Sequence, residues 1–136
     1  TTRGRGARIK GAAFERFLAK YITENTDIAA KRGIGQTRCG GSEVSDVDMP
    51  ILHIEAKRHA RCNIKRALKQ AITDANVNGK IPVAITKDDR EEVLCTMLLD
   101  DWVKLFNAYV LFLNDQEKAI VQDILDHPLI KGKVAI

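Results

Sequence analysis

The sequence predicts a mixed β-sheet flanked by helices, an α/β domain. Three observations point there. An amphipathic helical pattern opens the chain, an alternating strand runs directly into a basic helix near the middle, and two apolar strands precede a helical C-terminal third. That order of helix, strands, helix, strand, strand, helix suits a sheet with helices packed against it.

Residues 11–24 place Phe14, Phe17, Leu18, Tyr21 and Ile22 at helical spacing. Residues 25–45 read as a loop-like segment, with Gly33, Gly35, Gly40 and Gly41 among Lys31, Arg32 and Arg38. Its 34–39 part can form a short strand. Residues 51–57 alternate, so His53, Glu55 and Lys57 point one way and Leu52, Ile54 and Ala56 the other. Residues 63–75 form a second helix that buries Ile64, Leu68, Ala71, Ile72 and Ala75 and exposes Lys65, Arg66 and Lys69. Asn78-Gly79 ends it, and 81–86 make another apolar strand. A turn at 87–90 leads to a third strand at 93–99. Asp100 or Asp101 caps a helix reaching 113, and a last helix over 116–126 stops before Pro128. The expected organisation is one domain over 1–136, with a flexible basic arm at 1–10 and a helical extension at 107–136.

Hydrophobic residues make up 45% of the 136, enough for a real core. No apolar run approaches the roughly 20 residues of a membrane-spanning helix. The first ten residues, with Arg3, Arg5, Arg8 and Lys10, lack the apolar run of a secretory signal. The three cysteines, Cys39, Cys62 and Cys95, are odd in number and widely spaced, which suits reduced thiols rather than a zinc site. A cytoplasmic protein is expected. Its net charge of +4 is unevenly spread. Between His53 and Gln70 the single acid is Glu55, against Lys57, Arg58, Arg61, Lys65, Arg66 and Lys69, whereas acids prevail over 100–126. A polyanion docking on one side fits that asymmetry. Aromatic residues, at 5%, are too few for base-stacking platforms.

That lone acid is the chemical clue. Glu55 and Lys57 stand two residues apart on a strand and so share a sheet face. A carboxylate there can ligate a hard divalent ion. An ammonium beside it can hold an attacking hydroxide or balance charge growing on a phosphate. Upstream, Asp46 and Asp48 both offer a second carboxylate. Such a set suits metal-assisted phosphodiester hydrolysis. Alone, the Glu-x-Lys triplet usually marks a surface strand with a charge pair.

The context is more telling. An Asp, a short spacer, the segment His53-Ile54-Glu55-Ala56-Lys57-Arg58 and then a basic helix containing Gln70 resemble the PD-(D/E)XK nuclease superfamily. More closely, they resemble its small Holliday junction resolvases of archaea and phages. The opening 10–16 segment, with Phe14 and Glu15, is similar to the resolvases' first helix, where a glutamate assists the metal site. The stretch from Arg38 through Ser42 to Asp46 resembles their Arg-x-x-x-Ser-x-x-x-Asp loop. Gln70 matches the helix glutamine, and Ile81-Pro82-Val83 the strand after it. The resemblance covers roughly residues 8–106. It departs from the archaeal pattern in the shorter spacing from Asp46 to Glu55, and Asp48 competes with Asp46. Pro50 interrupts the alternation, so parity does not choose between the two.

The resemblance implies a restriction-endonuclease-like fold and a metal-dependent endonuclease that cuts branched DNA at four-way junctions, leaving a 5′ phosphate. Mg²⁺, with Mn²⁺ as substitute, would be held by Asp46, Glu55 and the carbonyl of Ala56, with Glu15 reached through water. Lys57 would orient the attacking water, and Ser42 and Gln70 would assist. Symmetric cutting implies a homodimer, acting in the host cytoplasm if the chain is phage-encoded. Trp102, Phe106, Tyr109, Val110 and Phe112 cover more than one side of their helix and can serve either an interface or the core. DNA-backbone contacts fall to Arg3, Arg5, Arg8, Lys10, Arg32, Arg38, Arg58, Arg61, Lys65, Arg66 and Lys69. Plainer readings stand beside these: Glu15 can pair with a neighbouring cation, Ser42 can be a turn residue, Gln70 can border its helix face, and His53 is better suited to a hydrogen-bonded position than to ligation. A nuclease for nicks, flaps or plain duplex, and a non-catalytic nucleic-acid binder, are the rival functions.

Overall fold

The computed structural model describes residues 2–33, 45–113 and 115–130. The expected strand at 34–39, together with Arg38, Cys39 and Ser42, lies outside the described residues. The chain gathers into two compact units, Thr1–Leu98 and Leu99–Ile136. The extension expected from 107 therefore starts inside a helix of the second unit.

The first unit holds α1 (Thr2–Asn25), β1 (Lys31–Arg32), β2 (Val47–Asp48), β3 (Leu52–Arg58), α2 (Ile64–Ala75), β4 (Ile81–Lys87) and β5 (Val93–Thr96). Its sheet runs in the order β1-β2-β3-β4-β5. Among the described strands β3 and β4 alone are parallel, and α2 is the crossover between them. This is the mixed sheet flanked by helices that the pattern predicts. The arm expected at 1–10 is instead the first part of α1. It contains no proline, and its Arg, Ala and Lys residues are good helix formers that offset the cost of Gly4 and Gly6, so the helix extends backward.

The two sheet faces are covered differently. On one, Phe14, Leu18 and Ala19 of α1 pack on Val47, Met49 and Ile54, with Leu52, Ala56 and Ile85 at the margin. On the other lies α2, which buries Ala67, Ala71, Asp74 and Ala75. Ala71 and Ala75 are buried as expected, but the rest of the expected inner stripe of α2 is corrected. Ile64, Leu68 and Ile72 are only half-buried, because small alanines let the helix sit close to the strands and rotate the larger side chains to its flank. Phe17 and Tyr21, counted in the α1 stripe, are about half exposed and lean together, with ring centroids 5.8 Å apart.

Local chemistry sets the element ends. The Asn63 side chain caps α2 by accepting the Arg66 backbone N–H at 3.1 Å. At the other end the Gly79 N–H donates to the Ala75 carbonyl at 3.1 Å, with Gly79 at φ 70°. Between β2 and β3 the Leu52 N–H reaches the Pro50 carbonyl at 2.9 Å across Ile51, whose φ is 77°. That is a tight γ-turn on a β-branched residue, a strained conformation. In the second unit, α3 (Leu99–Phe112) carries Asp100 and Asp101 in its first turn, where acids suit the helix dipole, and α4 (Asp115–Asp126) follows. No residue of α3 is buried. Trp102 and Phe106 stack with centroids 5.2 Å apart and remain exposed.

Candidate active site

The site is built on β3 under α2. Alternation sends His53 and Glu55 beneath that helix, where both are buried, and Lys57 to the strand's open end. The Lys57 Nζ lies 2.9 Å from Glu55 Oε1.

Asp46 arrives from the neighbouring segment. Its N–H donates to the Ile54 carbonyl at 2.9 Å, while Val47 is also in register with Ile54. Two residues of one strand thus face one of the other, as in a β-bulge, and a bulge re-aims a side chain. The Asp46 carboxylate consequently turns along β3, where Oδ2 accepts the Ala56 N–H at 2.8 Å. It fills the position a longer β2 would have occupied. In a strand the N–H and C=O of one residue leave on the same edge, so the Ala56 carbonyl also faces the Asp46 side. Asp48 goes elsewhere: half exposed, it sits opposite Lys31 on β1, with 3.9 Å between charged atoms.

The electrostatics follow from crowding acids under a helix. Burial, the largest cause, and the Asp46 charge push the Glu55 carboxyl up to about 7, against the opposing pull of Lys57, with Asp74 adding a smaller push. Burial also lowers the His53 imidazole below its ordinary range, although Asp74 partly offsets this, so the ring is neutral at pH 7. His53 Nδ1 lies 3.2 Å from Asn78 Nδ2, and its Nε2 has no hydrogen-bond partner among the described residues. The sequence reading missed Asp74 and Asn78. The available signal was an acid at helical spacing from Ala67 and Ala71, on the stripe that should be apolar.

The other expected site residues divide. Glu15 is 2.6 Å from the Arg32 guanidinium, which engages its carboxylate between α1 and β1. Gln70 is exposed on α2. Among the expected phosphate contacts, Lys10 and Arg58 share Asp89, at 2.9 and 2.6 Å, and push its carboxyl down to about 2. Arg5 and Arg8 are exposed along the first turns of α1, and the Arg3 side chain lies outside the described residues. Arg61, Lys65, Arg66 and Lys69 are exposed and form no ion pair among the described residues. Cys62 and Cys95 are free thiols.

The donor set fits a divalent cation. Two buried carboxylates, with the Asp46 charge raising the cost of ionising Glu55 and a backbone carbonyl at their side, are suited to a positive ion between them. No group of three His, Cys, Asp or Glu side chains among the described residues gathers into a full cage.

The fold and this carboxylate–lysine edge define the class: a nuclease of the PD-(D/E)XK type. The family described as "Phage putative PDDEXK endonuclease" matches residues 6–125. The chain belongs to that family and is an endonuclease; nucleases of this superfamily generally use divalent metals. Among solved structures the chain is similar to Hjc, a Holliday junction resolvase from the archaeal hyperthermophile Archaeoglobus fulgidus. The identity is 21%, over 62% of this chain and 73% of that one, with a TM-score of 0.49. No curated protein matches the chain. No described helix is long and apolar enough to cross a membrane.

Proposed function

We propose that the chain is a Mg²⁺-dependent, structure-selective DNA endonuclease that cuts four-way junctions, working as a homodimer in the cytoplasm of a phage-infected host. The observation that carries the reading is the buried Asp46–Glu55 pair with Lys57 on the open end of the same strand. A protein that merely bound DNA would gain nothing from buried acids beside phosphates.

In this reading Asp46, Glu55 and the Ala56 carbonyl hold the ion, which acidifies water and withdraws charge from the phosphate when bound. Lys57 orients the attacking water and neutralises charge growing on the phosphoryl oxygens. Glu15 assists through water once Arg32 is drawn to DNA. Ser42 and Gln70 assist, Gln70 from α2. The exposed cations of the α2 side, with Arg5 and Arg8, contact the backbone and position it without reading sequence. The dimer is supported by exposed apolar side chains along α1 and the edge strand β5, namely Phe17, Tyr21, Val93 and Leu94.

The test compares Asp46→Asn and Glu55→Gln with the parental protein on four-way junctions, nicked, flapped and linear duplexes of the same sequence. Cleavage with Mg²⁺ falls about a hundredfold or more, since several kcal/mol of charge stabilisation are removed. Junction binding without metal persists. Parental-rate cleavage by either variant would show that the site is misassigned. Equal cutting of linear duplex and junction would leave a nuclease without structure selectivity.

A further inference from the structure

Beside the carboxylate pair lies a cavity of about 350 Å³, lined chiefly by Lys57, His59, Arg61, Asn63, Arg66 and Gln70. No acid lines it. It adjoins the active site through Lys57, the residue 2.9 Å from Glu55. Arg61, Arg66 and Gln70 are not spent on the fold. Arg61 and Arg66 are exposed and form no ion pair among the described residues, and the Gln70 amide has no hydrogen-bond partner there. Asn63 is already committed to capping the helix. Cations converging on a concave, acid-free surface concentrate positive potential, and a planar guanidinium presents its donors in a fork that matches a phosphate.

We propose that this cavity is a second phosphate subsite, which takes the phosphodiester next to the scissile one on the same strand and holds it with Arg61, Arg66 and Gln70. The inference rests on the nuclease reading and adds to it a division of labour. Arg61 and Arg66 grip the strand and set its register over Asp46 and Glu55. Lys65 and Lys69 line a neighbouring, more apolar hollow with Leu68 and Ile72, which shares Asn63 and Arg66 with this cavity; in this division they attract DNA without gripping one phosphate.

The experiment maps the cut with Mg²⁺, then walks one uncharged methylphosphonate linkage through the flanking nucleotides and measures binding without metal. On the parental protein, one linkage within two nucleotides of the cut lowers affinity about tenfold, the scale of a lost charge-assisted hydrogen bond. Arg61→Ala combined with Arg66→Ala lowers affinity for all-phosphate DNA about as much. That variant no longer responds to the neutral linkage at that position but still responds elsewhere. If the variant and the parental protein lose the same factor at every linkage, the subsite does not exist, while the nuclease reading stands. Absence of any cut in the mapping step would instead overturn the nuclease reading itself.

Discussion

Glu55 is pulled two ways, and the balance fixes its pH behaviour. Its carboxyl is raised to about 7 from an ordinary 4.5. Between those values the folded protein keeps a proton that the unfolded chain has released, so stability falls as pH rises through that window, with the full penalty present above about 7. Glu55→Gln removes the penalty. The metal-free variant is expected to be about 1–3 kcal/mol more stable than the parental protein at pH 8, and equal to it near pH 4.5, by urea denaturation. A difference that does not change with pH would mean that Glu55 is not strained by its neighbours. Asp89 has the opposite sign: its lowered carboxyl stabilises the fold above about 4, and that contribution fades as pH falls toward 2. At this scale the sequence named Asp46, Glu55 and Lys57, but parity could not separate Asp46 from Asp48. The bulge at Ile54 is what turns Asp46 along β3 and leaves Asp48 at Lys31.

Helix α2 shows what is legible in an element and what is not. Its start at Asn63 and its stop at Asn78-Gly79 can be read directly, because capping and left-handed backbone are local chemistry. Gly79→Ala puts a Cβ into open space, with nothing within 4 Å, so the whole cost is the φ of 70°. A loss of about 1–2 kcal/mol is expected, measured by the urea midpoint; an unchanged midpoint would show that the turn relaxes freely. The inner face of α2 is legible only in part: Ala71 and Ala75 are buried as expected, but hydrophobicity also favours Ile64, Leu68 and Ile72, whereas close helix–sheet packing selects Ala67. The two-residue strands β1 and β2 could not be read either. Too short to show a period, they exist because their partners in the sheet supply the hydrogen bonds.

Across the whole molecule, charge is sorted by element. Arg58 and Lys10 are tied to Asp89, and Arg32 to Glu15, so among the described residues the cations best placed to meet a polyanion are those following β3 and along α2. Replacing Lys65 and Lys69 by Ala is expected to weaken DNA binding by a similar factor for all sequences. The slope of log affinity against log salt should become shallower by about 1–2, one unit for each phosphate no longer neutralised. A slope that stays the same would remove this helix from the DNA-facing side.

Periodicity, capping and charge are local properties, so the α/β class, the central strand with its Glu-x-Lys pair and the basic helix after it could all be read from the chain alone. The folded arrangement was needed to choose which aspartate joins Glu55, to crowd Asp74 and His53 behind it, and to bring Arg61 and Arg66 to one cavity. Those outcomes depend on a bulge, on alanines that let a helix approach a sheet, and on groups far apart in the chain sharing one poorly solvated space. No short stretch of sequence encodes any of these.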